Sequence, residues 1–167
     1  LEFQTCALPI LKEYQRQRLS LFLLWKGIIW FLMKNPEYKY LIGAVSISND
    51  FSEDAKSLIV QFIKKYYFDI SLSEYIEPTK KFKIHKKVLR SNEIILLGLD
   101  NNLKILDLYI NQFQPSVTMP VLLKRYLQMN GKIIGFNIDT DFNNCLDCLM
   151  ISKIADLPSM MLDNTAN

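Results

Sequence analysis

The chain has 167 residues, of which 50% are hydrophobic and 22% are charged, and its formal net charge is +3. This length fits one domain or a part of a larger one, and the hydrophobic fraction is too high for a disordered protein. The mild positive charge does not indicate nucleic-acid binding, so no nucleic-acid partner is expected.

The first ten residues, LEFQTCALPI, do not fit the pattern of the rest of the chain. QTCALPI resembles the translation of a common sequencing-library adapter. We therefore interpret residues 1–10 as an artefact and exclude them from fold reasoning. Natural sequence is then expected to begin near Leu11, inside a domain, so the fold is expected to be truncated on its N-terminal side.

A basic loop and a helix are predicted next. Arg16 and Arg18 precede Ser20, a residue type that caps helices, and an apolar run follows from Leu21 to Met33. This run is too short to span a bilayer, which favours a buried helix or a helix at a membrane surface. Free N–H groups at a helix start beside arginine side chains can also bind phosphate.

The stretch from Tyr38 to Tyr66 is the best-defined unit of the sequence. Its first half, Tyr40–Ser48, is apolar and predicts a strand covered on both faces. The polar bend that follows contains three residue types that cap helices, Asn49, Asp50 and Ser52, and Asp50 with Glu53 has the spacing of a capping box. The second half predicts a helix with Leu58, Ile59, Phe62 and Ile63 on one side and Lys56, Lys64 and Lys65 on the others.

Three polar residues near the end of the predicted strand are candidate site residues: Ser46, Ser48 and Asn49. Exposed hydroxyl and amide groups at the end of a buried strand are a common position for a ligand site. The alternative is that these side chains only satisfy backbone groups of the turn itself.

A basic run lies between Thr79 and Asn92 and contains no acid; its members are Lys80, Lys81, Lys83, Lys86, Lys87 and Arg90. It is either a solvated face or a binding patch for an acidic partner or anionic lipid headgroups. Within it, FKIHKKV predicts an edge strand. Ile94–Leu99 is a candidate short strand, and Asn101–Phe113 is predicted to be an amphipathic helix.

The last third predicts a helix after Pro120, closed by Asn130 and Gly131, and then two strands, KIIGFNI and CLDCLMI. The turn between the strands contains Asp139 and Asp141, which could serve a metal or a base but are more typical of turn formers. Asp147 lies within an apolar strand and needs a partner there. Residues 157–167 are predicted to be a loose tail.

The cysteines indicate a reducing environment. Cys6, Cys145 and Cys148 occur without a recognisable secretory signal, so a cytoplasmic location is expected. Cys145 and Cys148 form one C-x-x-C, whereas a zinc site needs a second pair or histidines, and the only histidine, His85, is distant in sequence. We therefore predict two small buried residues and no metal site.

Six phrases taken in order carry a family resemblance: KEYQR, LFLLWKGI, NPEYKYLIGAVSISNDFS, SLIVQFI, MPVLLKRYLQMNGKIIGFNIDTDFN and LDCLMI. Together they resemble the C-terminal part of GNAT-like N-acyltransferases of the ornithine-lipid type, which include haemolysin-like proteins of Bacteroidetes-type bacteria. The resemblance covers residues 11–156. It implies an α/β fold with a mixed central sheet flanked by helices, truncated at its N-terminal side.

The resemblance also implies a reaction. A 3-hydroxy fatty acyl group would pass from acyl carrier protein to the amine of an amino acid, ornithine or glycine, in aminolipid synthesis. The donor would be the phosphopantetheine thioester of the carrier, and no bound cofactor is expected. Amine attack on a thioester needs a neutral amine and a hydrogen bond to the thioester oxygen.

Site residues follow from the resemblance position by position. Arg16, Arg18 and the backbone of Ser20 would bind the phosphopantetheine phosphate. Ser46, Ser48 and Asn49 match the strand end that would line the acyl-acceptor cleft. The family's central strand, which bears Glu and Arg, would lie upstream of Leu11, so the catalytic side chains are expected there.

Two other functions stay open. A non-catalytic module could bind a partner or the inner face of the cytoplasmic membrane through the basic run and the Leu21–Met33 helix. An O-acyltransferase of glycerophospholipid synthesis would pair a histidine with an aspartate four residues later. His85 has Leu89 at that position, which disfavours the O-acyltransferase.

Overall fold

The computed structural model describes residues 18–84 and 86–157, and the chain divides into two compact units after Tyr38. The described part of the first unit contains helix α1, Arg18–Lys34. The described part of the second unit contains strands β1 (Tyr40–Ile47), β2 (Lys132–Asp139) and β3 (Cys145–Lys153), helices α2 (Glu53–Tyr66), α3 (Ile70–Ser73), α4 (Lys86–Gly98), α5 (Leu103–Phe113) and α6 (Val121–Gln128), and a short 3-10 helix, Ile154–Asp156.

The three strands form one antiparallel sheet in the order β1-β3-β2. The register places Ser46 of β1 opposite Asp147 of β3, and Asp147 opposite Asn137 of β2. The predicted α/β class is confirmed. The described strands pair antiparallel throughout, so the predicted mixed sheet is not what they form. An isolated parallel bridge joins Ile133 to Phe68, which lies outside the strands.

The two edges of the sheet differ. The outer edge of β2 is bonded to the segment before α4, because Ile133 N donates to Tyr67 O at 2.9 Å and Ile138 N donates to Lys80 O at 2.8 Å. Within residues 18–84 and 86–157, the outer edge of β1 has no backbone hydrogen bond. β1 therefore leaves unpaired N–H and C=O groups, the usual template for another strand.

The prediction that β1 is covered on both faces was wrong. Val45 and Ile47 are 6% and 0% exposed, but Ile42, on the other face, is 63% exposed. Side chains alternate between the two faces of a strand, and only one face of β1 is covered by the core.

Helix α2 lies at the centre of the core. Its residues from Ala55 to Ile63 are all buried, including Lys56, which the sequence pattern had placed on a solvated side. The helix begins after Ser52, whose hydroxyl accepts a hydrogen bond from Ala55 N at 3.2 Å. Ser52, one of the three predicted capping residues, is therefore the cap, whereas the predicted Asp50–Glu53 capping box is wrong.

The core joins one face of the sheet to the helices of the second unit. Both faces of this contact are apolar, so burial excludes water from a contiguous cluster. The cluster includes Val45, Ile47, Leu146 and Cys148 of the sheet, Leu58 and Phe62 of α2, Leu106 and Ile110 of α5, and Leu123 and Leu127 of α6.

Helix α4 replaces the two strands predicted between Phe82 and Leu99. Phe82–Ile84 are irregular, His85 lies outside the described residues, and the helix runs from Lys86 to Gly98. Lys65 of α2 donates to Leu96 O at 2.9 Å. Docking against α2 decides the structure of this segment, since short apolar runs do not distinguish strand from helix.

The later elements follow the predictions. Asn102 caps α5 by accepting hydrogen bonds from Lys104 N and Ile105 N. Helix α6 follows Pro120, and Asn130 after it has a positive φ of 61°, as helix ends commonly do. Strands β2 and β3 are both present.

Candidate functional site

A polar pair lies on the face of the sheet opposite the core. Ser46 Oγ donates to Asp147 Oδ1 at 2.5 Å, across the directly paired strands β1 and β3. Ser46 is exposed and Asp147 is partly buried. Hydrogen bonds to a carboxylate are stronger than neutral ones, so this pair holds the Asp147 side chain in place. Ser46 is thus the partner that the sequence required for Asp147 but did not identify.

Cys145 lies beside this carboxylate. Its Sγ is 3.5 Å from Asp147 Oδ1, as expected for two residues on the same face of one strand. Burial raises the pKa of the Cys145 thiol, and the negative charges of Asp147 and Asp139 raise it further. The thiol is therefore neutral at physiological pH and acts as a weak donor.

Ser48 and Asn49 lie in the turn after β1, and their contacts are local. Ser48 Oγ donates to Asp50 Oδ2 at 2.7 Å, and Asp50 N donates back to Ser48 Oγ at 3.2 Å. Asn49 Oδ1 accepts from Lys56 Nζ at 3.1 Å. Of the three predicted acceptor-cleft residues, Ser46 contacts a distant part of the chain, whereas Ser48 and Asn49 organise the turn.

Lys56 is a buried cation beneath this turn. It is 2% exposed, and its Nζ lies 2.5 Å from Glu53 Oε1 as well as bonding to Asn49. A buried ammonium requires such partners, so these contacts explain how α2 accommodates a lysine in the core. Lys56 therefore ties the strand end to the first turn of α2.

Gln114 fixes the turn from a distant part of the chain, and the sequence did not indicate this role. Its Oε1 accepts from Ser52 N at 2.7 Å, and its Nε2 donates to Asp50 O at 2.8 Å. The residue follows α5, so the end of α5 holds the β1–α2 turn. A single glutamine after a helix carries no sequence signal for such a contact.

The predicted phosphate site is only partly within the described residues. Arg16 lies outside them, as do the side chains of Arg18 and Ser20. Helix α1 spans Arg18–Lys34, so Ser20 lies inside the helix and does not cap it, which corrects that prediction. The role of these three residues in binding phosphopantetheine stays a prediction.

The carboxylate of Asp139 acts as a turn former. Asp139 Oδ1 accepts hydrogen bonds from Asp141 N at 2.9 Å and from Phe142 N at 3.1 Å. Asn143 and Asn144 complete the turn with φ values of 50° and 52°. Among residues 18–84 and 86–157, no group of three or more histidine, cysteine or acidic side chains is placed to hold a metal.

The basic run is exposed where its side chains are described, at Lys80, Lys81 and Lys83. Lys80 N donates to Asn137 Oδ1 at 2.9 Å, which fixes the start of the run against β2. The side chains of Lys86, Lys87 and Arg90 lie outside the described part of the chain. The prediction that the run binds an acidic partner or lipid headgroups therefore stays open.

Comparison of the chain with protein-family models, with curated proteins and with solved structures gave no match. No helix in the described part of the chain has the length and hydropathy needed to cross a bilayer.

Proposed function

We propose that the chain is part of an N-acyltransferase that moves a 3-hydroxy fatty acyl group from acyl carrier protein to the amine of ornithine or glycine. The ordered sequence phrases from KEYQR to LDCLMI support this proposal, since they resemble that GNAT-like family. The structural observation that best supports the proposal is the Ser46–Asp147 pair. This pair is polar and accessible, and it lies next to the unpaired edge of β1.

The reaction makes limited demands on side chains. The neutral amine attacks the thioester carbon, a tetrahedral intermediate forms, and the C–S bond then breaks to release the carrier thiol, which takes up the amine proton. Positioning of the amine and a hydrogen bond to the developing oxyanion supply most of the rate. Ser46 and Asp147 would position the acceptor, and the exposed lysines of the basic run would contact the carrier protein.

The unpaired edge of β1 also fits the proposal. The resemblance places a further strand upstream of Leu11, and an edge strand with free N–H and C=O groups can accept one. The catalytic acid and arginine expected on that strand would then lie beside Ser46. This arrangement would place the acceptor between that strand and β1.

The test is production of an N-acylated amino acid. We would express the chain, and in parallel the chain extended by its natural upstream coding sequence, with its acyl carrier protein, and analyse lipid extracts by mass spectrometry. The extended protein is expected to produce acylated ornithine or glycine. The matched control is a carrier protein whose phosphopantetheine serine is changed to alanine. Absence of any new aminolipid with all amino acids tested would reject the proposal.

A second candidate function is binding at a membrane surface through α1. Four apolar side chains of this helix are 48–60% exposed: Leu23, Leu24, Trp30 and Met33. The helix has no acidic residue, and Lys34 Nζ lies 6.0 Å from the Trp30 ring centroid. Exposed Trp and Leu beside lysine are typical of helices that lie in an anionic membrane interface.

Vesicle sedimentation tests this second candidate. The chain is expected to sediment with vesicles of anionic lipid and less with zwitterionic vesicles, and Trp30→Ala is expected to reduce the bound fraction. Tyr75→Ala, at a residue that is 81% exposed outside α1, is the control. Equal sedimentation of the Trp30 variant and the unmodified chain would count against this function. Vesicle binding without acyl transfer by the extended protein would favour it over the first.

A further inference from the structure

The charge of Asp147 is not neutralised within the described part of the chain. The ion pairs present there lie on α2 and between α5 and α6, and neither involves Asp147. Asp147 lies on the face of the sheet opposite the core, where its side chain is partly buried. A carboxylate without a cationic partner attracts one, so a cation from outside the chain would be stabilised here.

One oxygen of this carboxylate can receive a ligand. Oδ1 accepts from Ser46 Oγ at 2.5 Å and from the Cys145 thiol at 3.5 Å. Oδ2 has no hydrogen bond from any residue that the structure describes. Ser46 is exposed on the strand with the unpaired outer edge, so a small molecule can approach the pair from solvent.

The hydrogen-bond acceptors of this pair suit an ammonium group. An ammonium has three N–H donors, and a carboxylate oxygen and a serine oxygen are both suitable acceptors. Asp139 lies opposite Cys145 in the register of β2 and β3, on the same face as Asp147, and adds negative charge nearby. A calcium ion takes about six to eight oxygen ligands, many more than this pair supplies.

We propose that Ser46 and Asp147 bind a primary ammonium group of the acceptor that stays protonated and is not acylated. The proposal deepens the proposed function and rests on it for the reaction. It makes Asp147 a specificity-determining residue, which selects acceptors that carry two amines.

The choice of the non-reacting amine follows from charge. A carboxylate beside an amine favours the ammonium form and raises the pKa of that amine. The attacking amine must be neutral, so an amine held by Asp147 would be a poor nucleophile. The acceptor must then present a second amine to the thioester. Ornithine has two amines and glycine has one, so the pair favours ornithine.

Binding can be measured without acyl transfer. We would titrate the extended protein with ornithine and with norvaline, which has the same carbon chain but lacks the side-chain amine, by isothermal titration calorimetry, because the isolated 167-residue chain is expected to self-associate. Asp147→Asn is expected to weaken ornithine binding about tenfold or more, the effect of losing one hydrogen bond to a charged group. Norvaline is expected to bind the unmodified chain as weakly as ornithine binds this variant.

Controls separate this effect from a loss of structure. Asp141→Asn removes the same charge from an exposed turn residue and is expected to leave ornithine binding unchanged. Ser46→Ala is expected to weaken ornithine binding less than Asp147→Asn and keeps the proposal testable if the Asp147 variant does not fold. Equal affinities of the unmodified chain for ornithine and norvaline, or equal ornithine affinities of the Asp147 and Asp141 variants, would overturn the proposal.

Acyl transfer distinguishes the two proposals. In the extended protein, Asp147→Asn is expected to lower transfer to ornithine relative to glycine. If transfer occurs but this ratio does not change, the specificity proposal fails and the proposed function stands. If ornithine binding depends on Asp147 but no acyl product forms, the proposed function fails and the ammonium site stands without that reaction.

Discussion

At the scale of single residues, Cys145 and Cys148 show how strand geometry decides the meaning of a motif. They are separated by two residues in β3, so their side chains point to opposite faces of the sheet. Cys145 lies beside Asp147, whereas Cys148 belongs to the core. Both are free and buried, which confirms the prediction of two small buried residues.

Both thiols are expected to react slowly in the folded chain. Burial raises the pKa of each thiol, and the charge of Asp147 adds to the effect, so little thiolate forms at pH 8. Iodoacetamide labelling of these two residues, followed by peptide mass spectrometry, should be slower in the folded chain than in denaturant, and Cys148, the more deeply buried of the two, should be labelled more slowly than Cys145.

The contribution of these two thiols to the stability of the fold decreases as pH rises. Because the folded pKa of each thiol is raised, the unfolded chain loses these protons first as pH rises. The contribution of the thiols to stability is therefore present below the unfolded thiol pKa and is lost above it. In the labelling experiment, rapid modification of Cys148 in the native chain at pH 8 would show an accessible thiol and would contradict its burial in the core.

Gln61 is a buried amide whose two polar atoms have no hydrogen-bond partner among the described residues. It is 6% exposed in α2. Gln61→Met keeps the unbranched shape and removes the unsatisfied groups, so we expect the free energy of unfolding to rise by about 1 kcal/mol. Urea denaturation measures this change. Gln112→Met, on an exposed position of α5, should change it by less than about 0.5 kcal/mol, and destabilisation by the Gln61 variant would contradict the prediction.

At the scale of elements, the start of α2 connects the sheet to the core. Ser52 caps the helix, Gln114 holds the turn, and Lys56 bonds back to Asn49. The capping hydroxyl satisfies a backbone N–H that would otherwise lack a partner at the helix start. The position of the turn after Ser46 therefore depends on α5 as well as on the local sequence.

Loss of this cap should lower stability. Ser52→Ala is expected to reduce the free energy of unfolding by about 1 kcal/mol, measured by urea denaturation monitored by circular dichroism. Ser52→Asp keeps a capping oxygen and should remain close to the unmodified chain. If the alanine and aspartate variants were equally stable, the hydroxyl would not be acting as a cap.

At the scale of the whole molecule, the outer edge of β1, which has no backbone partner among the described residues, is expected to affect how the chain behaves in solution. This edge lies next to exposed apolar residues, Tyr40 at 56% and Ile42 at 63%. Unpaired strand edges with apolar side chains favour pairing with other chains. We therefore expect the isolated 167-residue chain to be poorly soluble and to self-associate.

A charge beside this edge should reduce association. Ile42→Lys is expected to shift the chain toward the monomer in analytical ultracentrifugation, because a lysine on an edge strand opposes strand pairing. Ile94→Lys, at a residue of α4 that is 75% exposed, is the matched control and should not have this effect. A monodisperse unmodified chain with a sharp, reversible thermal transition would contradict the prediction.

Local signals in the sequence were sufficient for α5, α6, β2 and β3. Asn102 caps α5, Asn130 follows α6, and Asn143 and Asn144 adopt positive φ in the turn between the strands. These residues act through bonds and sterics within a few positions, so the sequence alone determines them. The need of Asp147 for a partner was likewise evident from its apolar surroundings in sequence.

Tertiary structure decided the rest. The segment from Lys86 to Gly98 becomes a helix through docking on α2, and Lys56 is buried because residues 55–63 of α2 are enclosed on all sides. The partner of Asp147 is Ser46, which lies 101 residues away in the chain. The register of two strands depends on which face of each is buried, and that choice is made only when sheet and helices pack together.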